Sequence, residues 1–444
     1  MMRFLTLVVL LMLVVHASGQ DTAFFPSFSP YAPHPILNYG DGLSGSPWND
    51  PTVLKEGNQY YMYTSGVMGG INHPNDDVSI YRWVSSDGYS WSLNPATPVL
   101  QPAAGSYFSG GVETPSVVFY KGEYHMYNTV YVNNSPFDFR ISHATSPDGI
   151  NWQMDANFIL APTPGIAWMS TITAEPGVLV KEDTLYLFFA AGDPAGFLNI
   201  GLVRSVDGAS FLDTTLTATL PTGVYPLSEN YAGLSTPSPV LLGDTIYLFT
   251  DVAQTVFGNN WMQVALHQFK SYGDLNKWYH DDVPIHRRDD FSWTNGNFNA
   301  EIRSITPLVD GNKLRIWYAG HKISEIDTST NDTTNYVYFI GNELHVDSGF
   351  WGIGTSEYDL TVVGVNLSNA ARPEGVAVQF QHNAFQIEIA STSHAQVEMY
   401  TLDGKLIFRR DFVSSINGQV DYRGIVLVKV TTGEEVYTAK YFVD

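Results

Sequence analysis

Three carboxylates in this sequence occupy similar places. Asp50 and Glu175 each stand immediately before a proline that opens an apolar segment, and Glu113 stands two residues before Pro115. Acids held in one funnel repel one another, which raises at least one pKa, so that one carboxyl can stay protonated while another is ionised. Hydrolysis of a glycosidic bond uses such a pair: one group protonates the leaving oxygen, and the other activates water or attacks the anomeric carbon. Alternatively, these acids cap strands, bind a structural cation or hydrogen-bond to the backbone.

The acids belong to a repeat. The prolines that open four copies are spaced by 64, 61 and 61 residues, at Pro51, Pro115, Pro176 and Pro237. Each is followed by an apolar strand, a turn and a second strand, and a fifth copy occupies residues 308–317. Three units then carry a Ser-x-Asp-Gly-x-x-aromatic turn, at 85–91, 146–152 and 205–211. We assign these turns to structure, with Asp-Gly making the turn and the aromatic ring packing between units.

This repeat predicts an all-β fold, a five-bladed β-propeller. A helical solenoid is excluded because no long helix-period pattern occurs. Apolar triplets at 98–100 and 158–160 precede units two and three, and the triplet at 35–37 stands in the same relation to unit one. We therefore expect the N-terminal segment to pair with the last blade and close the ring. First strands line the channel of a propeller, so Asp50 and Glu175 are expected to face each other.

Further candidates lie near the same strand starts. Glu301 and Arg303 belong to unit five, in a register that the sequence leaves open. Arg303 could hold a substrate hydroxyl, the Glu301 carboxylate or a structural ion pair. Trp48, Trp168 and Trp293 lead into strand starts and could stack on sugar rings, with core packing as the alternative. We predict no metal ligands, since no Cys/His cluster is present.

Composition limits the partners and the compartment. The 22 basic and 44 acidic residues give a net charge of -22, which repels nucleic acid and anionic lipid. The chain has no cysteine, hence no disulfide and no lipid anchor through an N-terminal Cys. Residues 1–20 combine Arg3, an apolar core and a small-residue cleavage region, which predicts a signal peptide too short to be a membrane span. We expect a monomer, secreted or on the outer cell surface.

The propeller, the Asn-Asp-Pro opening at Asp50 and the ordered acids resemble the five-bladed glycoside hydrolases. These are the arabinanases, arabinofuranosidases and xylosidases of family 43 and the fructan-cleaving enzymes of family 32, and the resemblance spans residues 33–360. It implies Asp50 as general base, Glu113 as the group that tunes pKa, and Glu175 as general acid. Family 43 usually has Asp where this chain has Glu113, and the Arg-Asp-Pro and Glu-Cys motifs of the fructosidases are absent.

The C-terminal tail differs in composition. Segments 397–405, 423–430 and 438–441 resemble the C-terminal sorting domain of the type IX secretion system, although the usual Asn-Pro near its start is absent. A small β-sandwich that binds carbohydrate is the alternative. The predicted domains are a signal peptide at 1–20, a catalytic propeller at 21–365 and a sorting-type β-sandwich at 372–444.

Together these features predict a secreted glycoside hydrolase that cleaves plant or algal polysaccharide or oligosaccharide with inversion. Its partners would be a carbohydrate substrate and the type IX machinery, without nucleic acid. No cofactor is required, and calcium is an open option because some relatives hold it in the channel. Two alternatives are a retaining, fructosidase-like enzyme, in which Asp50 attacks carbon, and a non-catalytic propeller that binds glycan or protein at the cell surface.

Overall fold

The computed structural model of the chain consists mainly of β-strands, with a short 3-10 helix at Ala167–Met169. The predicted signal peptide lies outside the described residues. No helix within the described residues is both long and apolar enough to cross a membrane. The structure describes residues 24–25, 27–31, 35–38, 40–43, 46–67, 78–132, 138–211, 218–221, 231–243, 245–257, 260–281, 283–288, 290, 292–293, 296–297, 301–322, 336–340, 343–347, 350–360, 376–381, 384–389, 394–401, 405–420, 422, 424–432 and 435–443.

A short strand, β1 at Ser29–Pro30, precedes the repeat. Units one and two then form separate four-stranded antiparallel sheets in sequence order. The first sheet comprises β2 to β5, at Trp48–Glu56, Gln59–Val67, Val78–Ser85 and Ser92–Leu93. The second comprises β6 to β9, at Val112–Tyr120, Glu123–Tyr131, Phe139–Ser146 and Gln153–Met154. Tight turns join the first two strands of each sheet, as the sequence predicts.

Units three and four repeat the arrangement and are linked by one parallel bridge, Leu198 to Gly233. Unit three contributes β10 to β12, at Ile172–Lys181, Thr184–Gly192 and Leu198–Ser205. Unit four contributes β13 to β17, at Tyr231–Leu242, Thr245–Phe257, Asn260–Ser271, Tyr279–His280 and His286–Arg287. The last two strands both pair with β15.

Unit five closes the ring. After a small hairpin, β18 and β19 at Ser292–Trp293 and Gly296–Asn297, come β20 at Glu301–Asp310 and β21 at Lys313–Lys322. A second hairpin, β22 and β23, spans Tyr336–Ile340 and Glu343–Asp347, and β24 spans Phe350–Asp359. The N-terminal β1 pairs with β24, so the sheet order is β1-β24-β21-β20. The predicted pairing of the N-terminal segment with the last unit is confirmed.

The apolar triplets that precede the units all make the same kind of backbone bridge. Leu100, Leu160 and Leu220 each bridge the third strand of the preceding unit, at Ile80, Ile141 and Ile200 respectively. Leu37 makes the equivalent bridge to Ile353 of β24. The first strands also contact one another in the cyclic order β2, β6, β10, β13, β20 and back to β2. The predicted all-β propeller is therefore confirmed.

The Ser-x-Asp-Gly turns join neighbouring units. Within the second unit's turn, the Asp148 carboxylate accepts backbone N–H groups at 2.9 and 2.8 Å, which holds its pKa far below the ordinary range. The Gly149 carbonyl of the same turn accepts a hydrogen bond from the buried Tyr63 hydroxyl of unit one at 2.8 Å. Tyr63 also meets the Trp152 ring edge-on at 5.9 Å. Tyr127 and Trp317 make equivalent bonds to the turns of the next units.

A β-sandwich follows the repeat, as the sequence predicts. One sheet has the order β25-β26-β29 and the other β28-β27-β30-β31. The strands β25 to β31 span Val376–Gln381, Ala384–Ile389, His394–Thr401, Leu406–Val413, Ser415–Gln419, Gly424–Thr432 and Glu435–Val443. Buried side chains of both sheets, such as Ile387 and Val428, share one apolar core.

The bond from Tyr63 to the next unit's turn gives a stability prediction. Tyr63→Phe removes the hydroxyl and leaves the Gly149 carbonyl without that donor, so we expect the free energy of unfolding to fall by about 1 kcal/mol. The matched control is Tyr61→Phe on the same strand, whose ring lies 4.3 Å from the Arg82 guanidinium, a contact that phenylalanine keeps. Denaturant unfolding measures both, and equal losses in the two variants would contradict the joining role.

Candidate active site

Every first strand is interrupted by a bulge at the same place. The register with the second strand shifts there, for example between Asn49 and Thr52 in unit one. The residue inside each bulge has a left-handed backbone, which is uncommon for residues other than glycine. These residues, with their φ angles, are Asp50 (51°), Thr114 (49°), Glu175 (53°), Thr236 (42°) and Ser304 (55°). The shared geometry fixes the register of unit five: Ser304 aligns with Asp50, and Arg303 aligns with Glu113.

In units two, three and five, the N–H of the bulge residue finds its acceptor on the second strand of the preceding unit. Thr114 N donates to Ser65 Oγ at 2.9 Å, and Glu175 N donates to Thr129 Oγ1 at 2.8 Å. These bonds tie each bulge to its neighbour. They hold the bulge side chains around the axis of the propeller rather than leaving them on free strand ends.

Unit three lacks such an acceptor, because Ala190 occupies the position equivalent to Ser65 and Thr129. The Thr236 N–H donates instead to Glu175 Oε2 at 3.0 Å. Glu175 therefore has a backbone-capping contact, which was one of the alternatives weighed for these acids. Its other carboxylate oxygen, Oε1, faces the channel groups described next.

Arg303 connects the two candidate catalytic acids. Its Nη2 donates to Glu175 Oε1 at 3.0 Å, and its Nε lies 3.9 Å from Asp50 Oδ1. Two nitrogens of one planar guanidinium are about 2.3 Å apart, so these two carboxylate oxygens lie within roughly 9 Å of each other. That limit admits both the spacing of about 6.5–9.5 Å between the carboxyl groups of inverting glycosidases and the roughly 5–5.5 Å of retaining ones. The fold thus brings Asp50 and Glu175 together.

Asp50 has a second partner in unit five. The Ser304 hydroxyl donates to Asp50 Oδ1 at 2.6 Å. Asp50 is 4% exposed and Glu175 is 9% exposed, and both line an axial channel. The bulge residues and following positions of all five units line this channel.

The electrostatics separate the acids. Desolvation raises the pKa of Glu175 to about 8, against the opposing effect of Arg303. Desolvation and the charge of Asp50 raise the pKa of Glu113 to about 7, while a hydrogen bond with Tyr131 acts in the opposite direction. Burial lowers the pKa of Arg303, but the surrounding carboxylates outweigh it and raise that pKa well above its usual range. Near neutral pH, Glu175 is therefore the acid best able to retain a proton.

The other predicted candidates have different surroundings. Glu301 Oε1 accepts a hydrogen bond from Gln263 N at 3.3 Å, and its charge acts on Arg303. Trp168 is partly buried in the 3-10 helix, with its ring 6.0 Å from that of Phe189. Neither arrangement tests substrate binding, which stays a prediction for both. Trp293 lies in β18, but its side chain lies outside the described residues.

The prediction that Trp48 stacks on a sugar ring is wrong. Its side chain has no exposed surface, and its ring lies edge-on to Trp83 at 4.8 Å in the core of unit one. Its indole N–H donates to the Asp41 carbonyl at 3.0 Å. Trp48 is therefore a core residue with no face open to a ligand.

Two contributors to the site were not predicted. The proline pattern does not mark Ser304, because the residue that follows it is Ile305. Asp251 is fully buried on β14 and accepts a hydrogen bond from Ser304 N at 3.2 Å. An alignment of the second strands that extends two residues further places Asp251 where units one and two have Ser65 and Thr129.

The calcium option raised by the sequence stays a prediction. The described part of the chain contains no cluster of three or more His, Cys, Asp or Glu side chains arranged to hold a metal ion. A cation is already present at the site, since Arg303 lies on both Asp50 and Glu175.

No family model and no curated protein matches this chain. Solved structures do match it. A thermostable family-43 glycoside hydrolase is 15% identical, covering 70% of this chain and 89% of its own, with a TM-score of 0.50. A putative glycoside hydrolase from Bacteroides ovatus is 14% identical, covering 75% and 96%, with a TM-score of 0.51. A family 117 glycoside hydrolase from the marine bacterium Zobellia galactanivorans is 13% identical, covering 74% and 90%, with a TM-score of 0.50. At these identities the likeness shows the fold.

Arg303 gives a stability prediction with a pH dependence. Arg303→Gln removes the cation from two buried carboxylates, so we expect a loss of about 3 kcal/mol of unfolding free energy near pH 10. Arg303 lowers the pKa of Glu175, and its removal moves that already raised pKa further up. Above about pH 8 the wild-type Glu175 ionises beside Arg303, whereas the variant has to keep this carboxyl protonated or bury an unpaired charge; at pH 4 the carboxyl is protonated in both and the loss is small.

Thermal unfolding of the wild type and of Arg303→Gln at pH 4 and pH 10 measures this difference. Arg303→Lys is the matched control, because it keeps the charge and should recover part of the stability at pH 10. A deficit of equal size at both pH values, and in both variants, would contradict the electrostatic role.

Proposed function

We propose that the protein is a secreted, five-bladed propeller glycoside hydrolase that cleaves plant or algal polysaccharide or oligosaccharide with inversion. The observation that carries the proposal is the placing of Asp50 and Glu175 in one channel, joined by Arg303. The folds of the family-43 and family-117 glycoside hydrolases support it. The first experiment is hydrolysis of a panel of arabinan, xylan, fructan and algal galactans by the wild-type protein.

Glu175 is the general acid of the proposed reaction. Its raised pKa, about 8, keeps it protonated where most glycosidases work, and the proton passes to the leaving oxygen as the glycosidic bond breaks. Arg303 and the Thr236 N–H oppose this protonation, since both favour the ionised carboxylate. Burial outweighs them. The same two contacts would then stabilise the carboxylate that remains after proton transfer.

Asp50 is the general base. It accepts the Ser304 hydroxyl and faces the Arg303 guanidinium, so it is held in place as a hydrogen-bond acceptor. In the inverting reaction it takes a proton from water while the water oxygen attacks the anomeric carbon. Glu113 stands beside Asp50 and interacts with it electrostatically. We assign Glu113 to tuning the charge of the site rather than to proton transfer.

The charges at the site favour a neutral sugar. Among the described residues, the carboxyl groups that interact here are Asp50, Glu113, Glu175, Asp251 and Glu301, against the guanidinium of Arg303. A uronic acid or a sulfated sugar would bring a further negative charge into this buried group and be repelled. We therefore propose neutral chains, such as arabinan or xylan, as the substrate class.

We also propose the finer points of organisation. Residues 1–20 act as the export signal, 21–365 form the catalytic propeller, and 372–444 are a type IX sorting domain that directs the monomeric protein to the outer surface. The two-sheet architecture of the tail supports a sandwich, and a carbohydrate-binding role is its rival. Deleting 372–444 separates the two: a sorting domain leaves hydrolysis of soluble substrate unchanged and abolishes export, whereas a binding module weakens adsorption to insoluble glycan.

The roles of Asp50 and Glu175 can be separated by the leaving group. Glu175→Gln should lose about 10²–10⁴-fold in kcat/KM on natural glycans. It should stay much more active on dinitrophenyl glycosides, because that leaving group needs no proton. Asp50→Asn should lose activity on both, since the attacking water is unassisted in either case.

The control is Glu123→Gln, a half-exposed carboxylate at the β6–β7 turn. Circular dichroism checks the fold of each variant. Unchanged activity in both Asp50→Asn and Glu175→Gln would sink the assignment. A wild type that binds glycan without releasing reducing ends at any pH would favour the non-catalytic propeller.

The pH profile follows from the proton on Glu175. Activity should fall as pH rises through about 8, because the general acid loses its proton there. On a natural glycan, this alkaline limb should be absent from the residual activity of Glu175→Gln, which has no proton to lose. Rates from pH 4 to pH 10 measure it. An alkaline limb that persists unchanged in Glu175→Gln would show that another group titrates.

A further inference from the structure

Asp251 occupies a position on the second strand at which none of the other four units has a carboxylate. The equivalent residues on the second strands are Ser65, Thr129, Ala190 and Ala319, as the pairing registers show. Ser65 and Thr129 cap the N–H of the next bulge with a hydroxyl. Capping alone therefore does not explain why unit four has a fully buried acid at this place.

The Asp251 carboxylate uses both oxygens. Oδ2 accepts the Ser304 N–H at 3.2 Å, and Oδ1 accepts the hydroxyl of Ser235 at 2.5 Å. Ser304 in turn donates its hydroxyl to Asp50 Oδ1 at 2.6 Å. A continuous chain of hydrogen bonds thus runs from the Asp251 carboxylate through one residue with a left-handed backbone to Asp50.

Asp251 also acts on the charges at the site. It interacts electrostatically with Arg303 and with Glu175. Burial raises the pKa of Asp251 itself, and the negative charge of the ionised Asp251 raises the pKa of Glu175. The charged groups that face this set come from several strands: Asp50 of β2, Glu113 of β6 with Tyr131 of β7, and Glu301 of β20. Arg303 therefore interacts with Asp251 and Glu301 as well as with the two catalytic acids.

We propose, resting on the proposed hydrolase function, that Asp251 is a positioning residue of the acid–base pair. It fixes Ser304 against Asp50, and it shares the Arg303 guanidinium so that Glu175 keeps its proton. A residue with this role contributes to turnover without touching the substrate. It also favours the protonated form of Glu175 more than the other carboxylates of the channel would do alone.

Two substitutions separate the parts of this role. Asp251→Asn keeps the shape and an oxygen for the Ser304 N–H but removes the charge. Asp251→Thr places a hydroxyl where Thr129 already caps a bulge, so the chain itself supplies evidence that this cap fits the fold. Both variants are checked by thermal unfolding before kinetics, and Asp251→Thr keeps the test open if the amide variant fails to fold.

The measurement is kcat and KM of the full chain on a neutral glycan from pH 4 to pH 10. Both variants should lose about tenfold or more in kcat with little change in KM, and the alkaline limb should move to lower pH by up to about one unit, since a like charge near Glu175 is gone. A merely structural role predicts lower stability with the wild-type kcat and pH limb, which would overturn the proposal.

The two proposals fail in distinguishable ways. A wild type without hydrolytic activity on any glycan rejects the hydrolase function and this inference with it. An active wild type, with kcat and the alkaline limb unchanged in both Asp251 variants, rejects the inference alone. An active wild type whose Asp251→Asn and Asp251→Thr limbs both move to lower pH supports it.

Discussion

The structure depends on one backbone feature, the left-handed residue in the bulge of each first strand. In units two to five, the N–H of this residue finds an acceptor on a neighbouring unit. Where that neighbour offers a hydroxyl, as Ser65 and Thr129 do, the bond is simply structural. Where it offers Ala190, the Glu175 carboxylate takes over the cap. The same constraint that holds the units together therefore also places acids at the axis.

The guanidinium of Arg303 offsets part of the free-energy cost of burying several acids close together. Buried carboxylates without a partner are costly, and a cation on two of them offsets part of that cost. The balance is incomplete, because desolvation still raises the pKa values of Glu113 and Glu175. An acid–base pair needs both effects. The cation must offset enough of the cost of burying the carboxylates for the fold to be stable, but not so much that every carboxyl group becomes ionised.

Much of this was predictable from the sequence, for identifiable reasons. The proline spacing and the apolar triplets are local patterns that every unit repeats, so the propeller and its closure by residues 35–37 could be read directly. Asp50 and Glu175 were found because each precedes a proline. The contact of Arg303 was not predictable, since unit five has Ile305 instead of proline and its register is set only by the bulge.

Burial was harder to predict than position. Trp48 stands beside Asp50 in sequence, yet strand alternation turns its ring into the core of the unit. Asp251 lies on a second strand, beyond the segment that the repeat pattern marks, and only the three-dimensional pairing brings it to Ser304. The direction of side chains and the contacts between units thus determine the features of the site that the sequence pattern does not predict.

The central claim is that Asp50 activates water opposite the Glu175 acid. Proton NMR of the first product released by the wild-type enzyme from a neutral glycan tests it most directly, because the anomeric signal appears before mutarotation mixes the anomers. Our account predicts a first product with the anomeric configuration opposite to that of the substrate. A first product with retained configuration would contradict it and make Asp50 a nucleophile toward carbon.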